Sequence, residues 1–219
     1  MGKISAVLFD FDGTLVDSEK LYIEAGVRAL VQLGIEEEYA YQFNRRYFAG
    51  LRFDQKPIAF GNEFPHLVYD EYLALYNQNL ADLKAVMPLK LKPGAVEVLQ
   101  YLKRKHKKLA VVTMSKYETV QEICGQIGLD FKLFDYYFGG SGCPAKPDPA
   151  IYLEAMNVLE VTPAETLIVE DSNVGALAAI RSGANVVVVK DQSILSSEVL
   201  TKANYVFEKD CLIRVKEIL

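Results

Sequence analysis

Cysteine is scarce in this chain of 219 residues, and the spacing of Cys124, Cys143 and Cys211 is not that of a metal site. A sparse, odd set of cysteines is typical of reduced thiols in a reducing compartment. No apolar run approaches the roughly 18 residues that a membrane span needs, and the first apolar run is too short for a signal peptide. Basic residues are not in excess, since the net charge is −5. These absences predict a cytoplasmic protein with neither nucleic acid nor a membrane as its partner.

The remaining composition is that of an ordinary globular protein. Hydrophobic residues make up 51% of the chain and charged residues 24%, which is enough apolar material for a sizeable core. We therefore expect one large domain, or one domain with an insertion.

The stretch from Ile4 to Glu19 begins apolar and then becomes acidic. Residues 4–9 are too few for a helix and predict a strand buried on both faces, as in a parallel sheet. Asp10 and Asp12 follow at once, and two like charges at a buried strand end call for a cation between them. A hard ion such as Mg²⁺ binds one or two carboxylates together with a substrate phosphate. A solvated Asp-x-Asp-Gly turn is the structural alternative.

Later segments repeat the pattern of an apolar run that ends in polar residues. Residues 109–112 lead to Thr113, and residues 166–169 lead to Glu170 and Asp171. Between them, Lys146 lies in a proline-rich loop that precedes a helical pattern; an exposed loop lysine is the alternative for this position. Because parallel strands end on the same side of a sheet, these side chains are expected to meet there.

In this order, four segments resemble the motifs of the haloacid dehalogenase (HAD) superfamily in its phosphatase-like form. They are Asp10-Phe-Asp-Gly-Thr-Leu-Val-Asp-Ser-Glu, Thr113-Met-Ser, Lys146-Pro-Asp-Pro and Glu170-Asp. The resemblance implies an α/β fold, with a Rossmann-like parallel sheet flanked by helices and an inserted all-α cap domain. One departure is Ala145, where the family often has glycine.

The distance between the first two motifs locates the insertion. A right-handed crossover needs only about a dozen residues, whereas some 100 residues separate Asp12 from Thr113. We predict a core domain of residues 1–15 and 88–219 and a helical cap of residues 16–87; the alternative is that these helices extend the core. Helical spacing is clear from Leu21 to Val31 and from Tyr69 to Leu83, whereas residues 36–66 are hard to assign. Near the end of the chain we expect a short edge strand at 205–207 and a terminal helix.

The resemblance also implies a role for each motif residue. Asp10 attacks phosphorus and becomes an aspartyl-phosphate, and Asp12 acts first as general acid and then as general base. Lys146 and Mg²⁺ offset the charge of the phosphate. The implied phosphoryl-binding residues are Thr113, Met114, Ser115 and Lys146. The implied metal ligands are Asp10, Asp12 and Asp171, and Glu170 is either a supporting partner or a further acid on the metal side.

The acid at Asp12 separates the activities within the superfamily, because dehalogenases and phosphonatases have no acid there. We therefore predict a phosphatase that acts on a small phosphomonoester, such as a sugar phosphate or a nucleotide. The alternative is a phosphomutase of the β-phosphoglucomutase type. The mutases carry a histidine in the early cap helix, where this chain has Tyr22. Their basic cap loop is only partly matched by Gly50 and Arg52. Arg52 is a candidate substrate contact or a solvated surface arginine.

Two alternative hypotheses assign the chain to other classes of protein. Signalling receiver modules also gather acids, a threonine and a lysine around a phosphorylatable aspartate, but they carry no long insertion after the first strand. A catalytically idle relative could bind a metabolite or a protein, yet binding does not require the second acid at Asp12. We expect a small phosphorylated metabolite as the partner and a monomer or weak dimer as the assembly, and the sequence does not identify the substrate.

Overall fold

The computed structural model describes residues 3–139 and 142–219. Six short strands form one sheet in which every pair of neighbours is parallel. The strands are β1 (Ala6–Phe9), β2 (Lys108–Thr113), β3 (Tyr136–Gly139), β4 (Thr166–Glu170), β5 (Asn185–Val189) and β6 (Tyr205–Phe207). Their spatial order is β3-β2-β1-β4-β5-β6.

Strand β1 lies in the middle of the sheet, and all four of its residues are buried. In the register, Phe9 lies opposite Val111 of β2 and Val169 of β4. A continuous apolar run suits this position because side chains on both faces of a central strand are covered by helices. Asp10 consequently emerges at the same edge as the ends of β2 and β4.

The α-helices of the described residues fall into a cap group and a sheet-covering group. They are α1 (Glu19–Gln32), α2 (Glu37–Phe43), α3 (Lys56–Glu63), α4 (Tyr69–Val86), α5 (Ala95–Arg104), α6 (Tyr117–Ile127), α7 (Ala150–Val158), α8 (Asn173–Arg181) and α9 (Ser197–Lys202). Helices α5 and α6 pack on one face of the sheet, and α7, α8 and α9 pack on the other. The predicted parallel sheet flanked by helices is confirmed.

Helices α1 to α4 lie between β1 and β2 in the chain and have an apolar core of their own, which includes Leu30, Phe43, Phe60 and Tyr72. The helices predicted around Leu21 and Tyr72 are confirmed. Residues 36–66, whose sequence shows no clear helical or strand pattern, form two short α-helices, a π-helical segment at Asn44–Phe48 and a 3₁₀ turn at Phe53–Gln55. Because π and 3₁₀ turns break the 3.6-residue period, no single apolar pattern runs through this stretch.

The chain leaves the sheet and returns to it along two adjacent segments. The Asp17 amide donates to the Lys90 carbonyl at 2.9 Å, and the Lys92 amide donates to the Leu15 carbonyl at 2.9 Å. Val16 forms an antiparallel bridge with Leu91. The predicted boundaries at 15/16 and 87/88 lie at or near this crossing, and the division into two domains stays a prediction.

The edge strand predicted at 205–207 is confirmed as β6, and the predicted terminal helix is also present. Residues Leu212–Ile218 form a 3₁₀ helix. Its buried side chains, Leu212 and Val215, are three residues apart, which matches three residues per turn. Two residues of the predicted loop at 139–150, Gly140 and Ser141, and the first two residues of the predicted core domain lie outside the described residues.

No helix in the described part of the chain has both the length and the apolar character to cross a membrane.

Candidate active site

A cavity of ≈ 680 Å³ lies between the carboxyl ends of the central strands and the cap. Its wall on the sheet side includes Asp10, Asp12, Thr113, Ser115 and Lys146. The strand ends therefore bring together the motif residues that the sequence separates by up to 136 positions.

Asp10 directly follows β1 and is 8% exposed. Its Oδ1 accepts a hydrogen bond of 2.6 Å from Lys146 Nζ, and no other side chain among the described residues bonds to its carboxylate. Burial raises the pKa of Asp10 well above its usual value, and the Lys146 charge opposes that rise. One carboxylate oxygen is thus held in place, while the other is left for chemistry in the cavity.

Lys146 is 2% exposed, so the exposed-loop alternative for it is wrong. Besides Asp10, its ammonium group donates to Glu170 Oε1 at 2.6 Å and to the Val112 carbonyl at 3.1 Å. Burial lowers the pKa of this lysine, but the charges of Asp10 and Glu170 outweigh it and keep the pKa well above its usual value. The side chain is therefore a fixed positive charge whose three donors are all used.

Glu170 ends β4 and is completely buried. In addition to Lys146, it accepts from the Tyr152 hydroxyl at 2.6 Å and from Ser172 Oγ at 3.1 Å. Helix α8 approaches so closely that a Cβ on Gly175 would overlap the carboxylate. Both oxygens of Glu170 are thus occupied, and its main effect is to hold Lys146 against Asp10.

Asp171 follows Glu170 and is held on one side only. Its Oδ1 accepts from Thr14 Oγ1 at 2.9 Å, whereas its Oδ2 is buried without a hydrogen-bond partner among residues 3–139 and 142–219. Gly13, at φ +82°, leaves space beside that oxygen which a Cβ would fill. Leaving a buried carboxylate oxygen unpaired is costly, so this oxygen is suited to binding a cation.

The donor set fits a hard divalent cation. One oxygen from each of Asp10, Glu170 and Asp171 lies within 4.8 Å of the others. Burial, followed by repulsion from Asp10 and Glu170, raises the pKa of Asp171 well above its usual value. A cation with a preference for oxygen ligands, such as Mg²⁺, would relieve both the repulsion and the unpaired oxygen.

The carboxylate of Asp12 lies outside this group of three, is half-buried and faces the cavity. Its Oδ1 accepts from Ser18 Oγ at 2.7 Å and its Oδ2 from Ser115 Oγ at 2.5 Å. Two hydroxyl groups, one at the start of the cap and one after β2, therefore orient this acid. The roles of Asp12 as general acid and base and as a metal ligand stay predictions.

Thr113, Met114 and Ser115 all line the cavity after β2. The Thr113 hydroxyl accepts from the Ser115 amide at 3.1 Å, which leaves its proton for a ligand oxygen. The Tyr137 hydroxyl donates to the Ser115 carbonyl and helps to hold this turn.

Arg52 also lines the cavity, from the cap side. Its Nε and Nη2 donate to the Asp54 carboxylate at 2.6 and 2.8 Å, and its Nη1 donates to the Cys143 carbonyl at 2.8 Å. The guanidinium group thus connects the cap to the loop that carries Lys146, and its role as a substrate contact stays a prediction.

Four residues of the site were not assigned a role from the sequence. Ser18 and Glu19 lie within the first motif, which is the only signal that could have indicated them. Tyr152 and Lys56 give no local signal, because only the tertiary fold brings them to the site. Tyr152 contacts Glu170, whereas Glu19 and Lys56 belong to the cap side of the cavity.

Comparison with known proteins identifies the family. The model of the haloacid dehalogenase-like hydrolases matches residues 4–183. A phosphorylated carbohydrates phosphatase of Thermotoga maritima is 30% identical over 99% of this chain and 97% of its own. A phosphoglycolate phosphatase of Aquifex aeolicus is 30% identical over 81% of this chain and 80% of its own.

Among solved structures, a candidate β-phosphoglucomutase from Thermotoga maritima superposes with a TM-score of 0.72. It is 28% identical and covers 99% of this chain and 100% of its own. The chain therefore belongs to the haloacid dehalogenase-like hydrolases, among the phosphoric monoester hydrolases of that family.

Proposed function

We propose that the protein is a Mg²⁺-dependent phosphatase that hydrolyses a small phosphomonoester through an aspartyl-phosphate on Asp10. The observation that carries this proposal is the different environment of two carboxylates in one cavity. Asp10 is fixed by Lys146, whereas Asp12 is held by two hydroxyls. We further propose that the substrate is a phosphorylated metabolite, such as a sugar phosphate or a nucleotide, and that the protein acts in the cytoplasm as a monomer or weak dimer.

In the first half-reaction, the Asp10 oxygen that does not accept from Lys146 attacks phosphorus in line with the leaving group. A bond forms between Asp10 and phosphorus, and the bond to the substrate oxygen breaks. Asp12 gives that oxygen its proton, so that a neutral alcohol departs. Lys146 offsets the negative charge, and the Thr113 hydroxyl donates to a phosphoryl oxygen.

In the second half-reaction, Asp12 removes a proton from a water molecule. The water oxygen bonds to phosphorus, the bond to Asp10 breaks, and inorganic phosphate leaves. The cap shields the cavity from bulk water while the intermediate exists.

Asp10 and Asp171 would hold Mg²⁺, with the backbone carbonyl of Asp12 as a third ligand and Glu170 beside them. When bound, the ion would neutralise the phosphate charge and orient the phosphoryl group. The buried unpaired oxygen of Asp171 supports this assignment.

A phosphomutase is the second candidate, and the similarity to the Thermotoga maritima structure supports it. A mutase must return the phosphoryl group from Asp10 to a sugar hydroxyl rather than to water. Tyr22 argues for hydrolysis, because its side chain lines the cavity where the mutases carry a histidine in the early cap helix. Burial, followed by the Asp12 charge, raises the pKa of Tyr22 far above neutrality, so it stays protonated and does not act as a base.

The test is phosphate release from a panel of small phosphomonoesters, with Mg²⁺ or with EDTA. We expect Mg²⁺-dependent release by the wild type and a loss of at least about 1,000-fold in Asp10→Asn, because the amide is not a nucleophile. Asp82→Asn, on the exposed side of α4, is the matched control and should be fully active. Release by Asp10→Asn at the wild-type rate would refute the proposal. Interconversion of hexose phosphate isomers without phosphate release would establish the mutase.

A further inference from the structure

The cap contributes a second half to the active-site cavity, and the phosphoryl chemistry does not use it. This half is lined by side chains of α1, α3, α4 and the π-helical segment. They include Glu19, Tyr22, Phe48, Lys56 and Tyr76. Whatever part of the substrate lies beyond the phosphate must contact this surface.

Lys56 is the cation of this surface that has no anionic partner. Among the residues that the structure describes, no carboxylate lies within 4.0 Å of its ammonium group, whereas Arg52 and Lys146 are both paired. The ammonium group lies 5.3 Å from the ring centre of Phe48 and 5.9 Å from that of Tyr76. The two aromatic faces stabilise the charge without using its hydrogen-bond donors.

Glu19 is the matching acid and is 8% exposed. Within the described part of the chain it forms no ion pair, although Lys56 lies near enough to act on its charge. Burial, followed by the charge of Asp12, raises the pKa of Glu19 to about 8. An acid and an ammonium group thus face the same cavity without contacting each other, and a ligand can bridge them.

We propose that Glu19 and Lys56 determine specificity by binding hydroxyl groups on the part of the substrate beyond the phosphate. They thereby select monophosphates of sugars or polyols over substrates that carry a second anionic group. This inference rests on the proposed phosphatase function.

The chemistry of the surface favours hydroxyl groups. A hydroxyl can donate to Glu19 and accept from Lys56 at once, which satisfies both the buried acid and the half-buried ammonium group. The aromatic rings of Phe48 and Tyr76 offer apolar contact to the C–H groups of a sugar.

A second phosphate or a carboxylate on the part of the substrate beyond the reacting phosphate would bind less favourably than a hydroxyl. Above about pH 8, where Glu19 is ionised, such a group would gain the charge of Lys56 but would lie beside Glu19, with Asp12 close by, and like charges in a partly desolvated cavity repel strongly. The bisphosphate intermediate of a mutase would be subject to the same repulsion.

The test compares pairs of substrates that differ in the far group, namely glycerol phosphate with phosphoglycerate and glucose monophosphate with glucose bisphosphate. At about pH 9, where Glu19 is ionised, we expect kcat/KM of the wild type to favour the member of each pair whose far group is uncharged by about tenfold or more. Glu19→Gln keeps the shape but loses the charge, and should reduce that preference about tenfold. Lys56→Met should raise KM for glucose monophosphate about tenfold and leave kcat nearly unchanged.

Glu71→Gln and Lys84→Met, two exposed changes on α4, are the matched controls and should keep the wild-type preference. The readout is a ratio between two substrates of one protein sample, so partial misfolding does not imitate it. An unchanged ratio in Glu19→Gln, with an active wild type, would overturn this inference and leave the phosphatase intact. A wild type that releases no phosphate from any substrate would overturn both.

Discussion

Asp10 and Asp12 are two residues apart in the chain, yet their surroundings assign them different chemistry. The buried Asp10 is fixed by the Lys146 charge, which suits a nucleophile that must approach an anionic phosphate. Asp12 is half-buried between the hydroxyls of Ser18 and Ser115, which suits a group that gains and loses a proton. The roles that we propose for the two residues therefore follow from their partners and not from the residue type.

Asp12→Asn should separate the two half-reactions. An aryl phosphate with an acidic leaving group needs no protonation, so this variant should still phosphorylate Asp10 but hydrolyse the intermediate at least about 100-fold more slowly. We expect a burst of phenol equal to one enzyme equivalent, followed by slow turnover, and phosphoprotein detectable by mass spectrometry. With an alkyl phosphate the burst should be absent.

Ser18→Ala should have a smaller effect than Asp12→Asn, since it removes only one of the two hydroxyls that orient Asp12. It should lower kcat only several-fold and show no burst. Full turnover of an alkyl phosphate by Asp12→Asn would contradict the role of Asp12 as general acid.

The sequence was sufficient to place the residues that end a strand or directly follow one. Asp10, Thr113 and Asp171 occupy predictable places because a buried apolar run shows where its strand ends. Tyr152 and Lys56 could not be predicted, because their contribution depends on how a distant helix packs against the site. A local pattern holds no information about that packing.

The π-helical segment at Asn44–Phe48 connects the cap to the core. Arg45 Nε donates to the Gln192 carbonyl at 2.8 Å, and the Ile194 amide donates to the Arg45 carbonyl at 3.1 Å. The same core loop contains the fully buried Asp191 carboxylate, which accepts from Lys92 at 2.7 Å at the return of the chain from the cap. One loop thus contacts both the cap and its linker.

Arg45→Met should loosen the cap. A hydrogen bond from a charged group contributes about 1.5–3 kcal/mol, so we expect KM to rise several-fold while the melting temperature falls by only a few degrees. Hydrogen exchange should become faster in residues 44–48 and 190–196. Arg28→Met, which removes an exposed pair with Glu24 on the same cap, is the control. Unchanged exchange in both segments would show that Arg45 does not hold the cap.

Secondary structure was predictable where apolar spacing is regular, as in α1 and α4. It was not predictable between them, because α2, the π-helical segment and α3 are each too short for a pattern to emerge. A helix was predictable at the end of the chain, but its 3₁₀ type was not, because buried positions three residues apart suit both kinds of helix.

The grouping of Asp10, Glu170 and Asp171 couples the stability of the whole fold to pH and to metal. Without a cation, burial and mutual repulsion raise the pKa of Asp10 and Asp171 above their values in the unfolded chain. The metal-free native state then binds more protons than the unfolded state. The stability that these two carboxyl groups contribute to the metal-free protein is fully present below the ordinary carboxyl pKa. This contribution is lost as the pH rises through the raised pKa values.

We therefore expect Mg²⁺ to raise the melting temperature more at about pH 8 than at about pH 5, by several degrees, since ~1 kcal/mol corresponds to about 2–4 °C in a chain of this size. Differential scanning calorimetry with Mg²⁺ or EDTA gives the comparison. Asp171→Asn should be more stable than the wild type in EDTA at about pH 8 and should respond little to Mg²⁺. Equal Mg²⁺ effects at both pH values would contradict this coupling.

The central place of β1 has a consequence for how the protein folds. The strand that bears Asp10 is made first, yet it pairs only with β2 and β4, which follow after about 100 and 160 residues. The cap helices, which lie between β1 and β2, pack on one another and are all synthesised before β2. Contacts of such long sequence separation slow folding, so the nascent chain keeps an apolar strand exposed while most of the protein is synthesised. Assembly of the candidate active site should therefore be a late event, and we expect β1 to be the segment most prone to aggregation before that point.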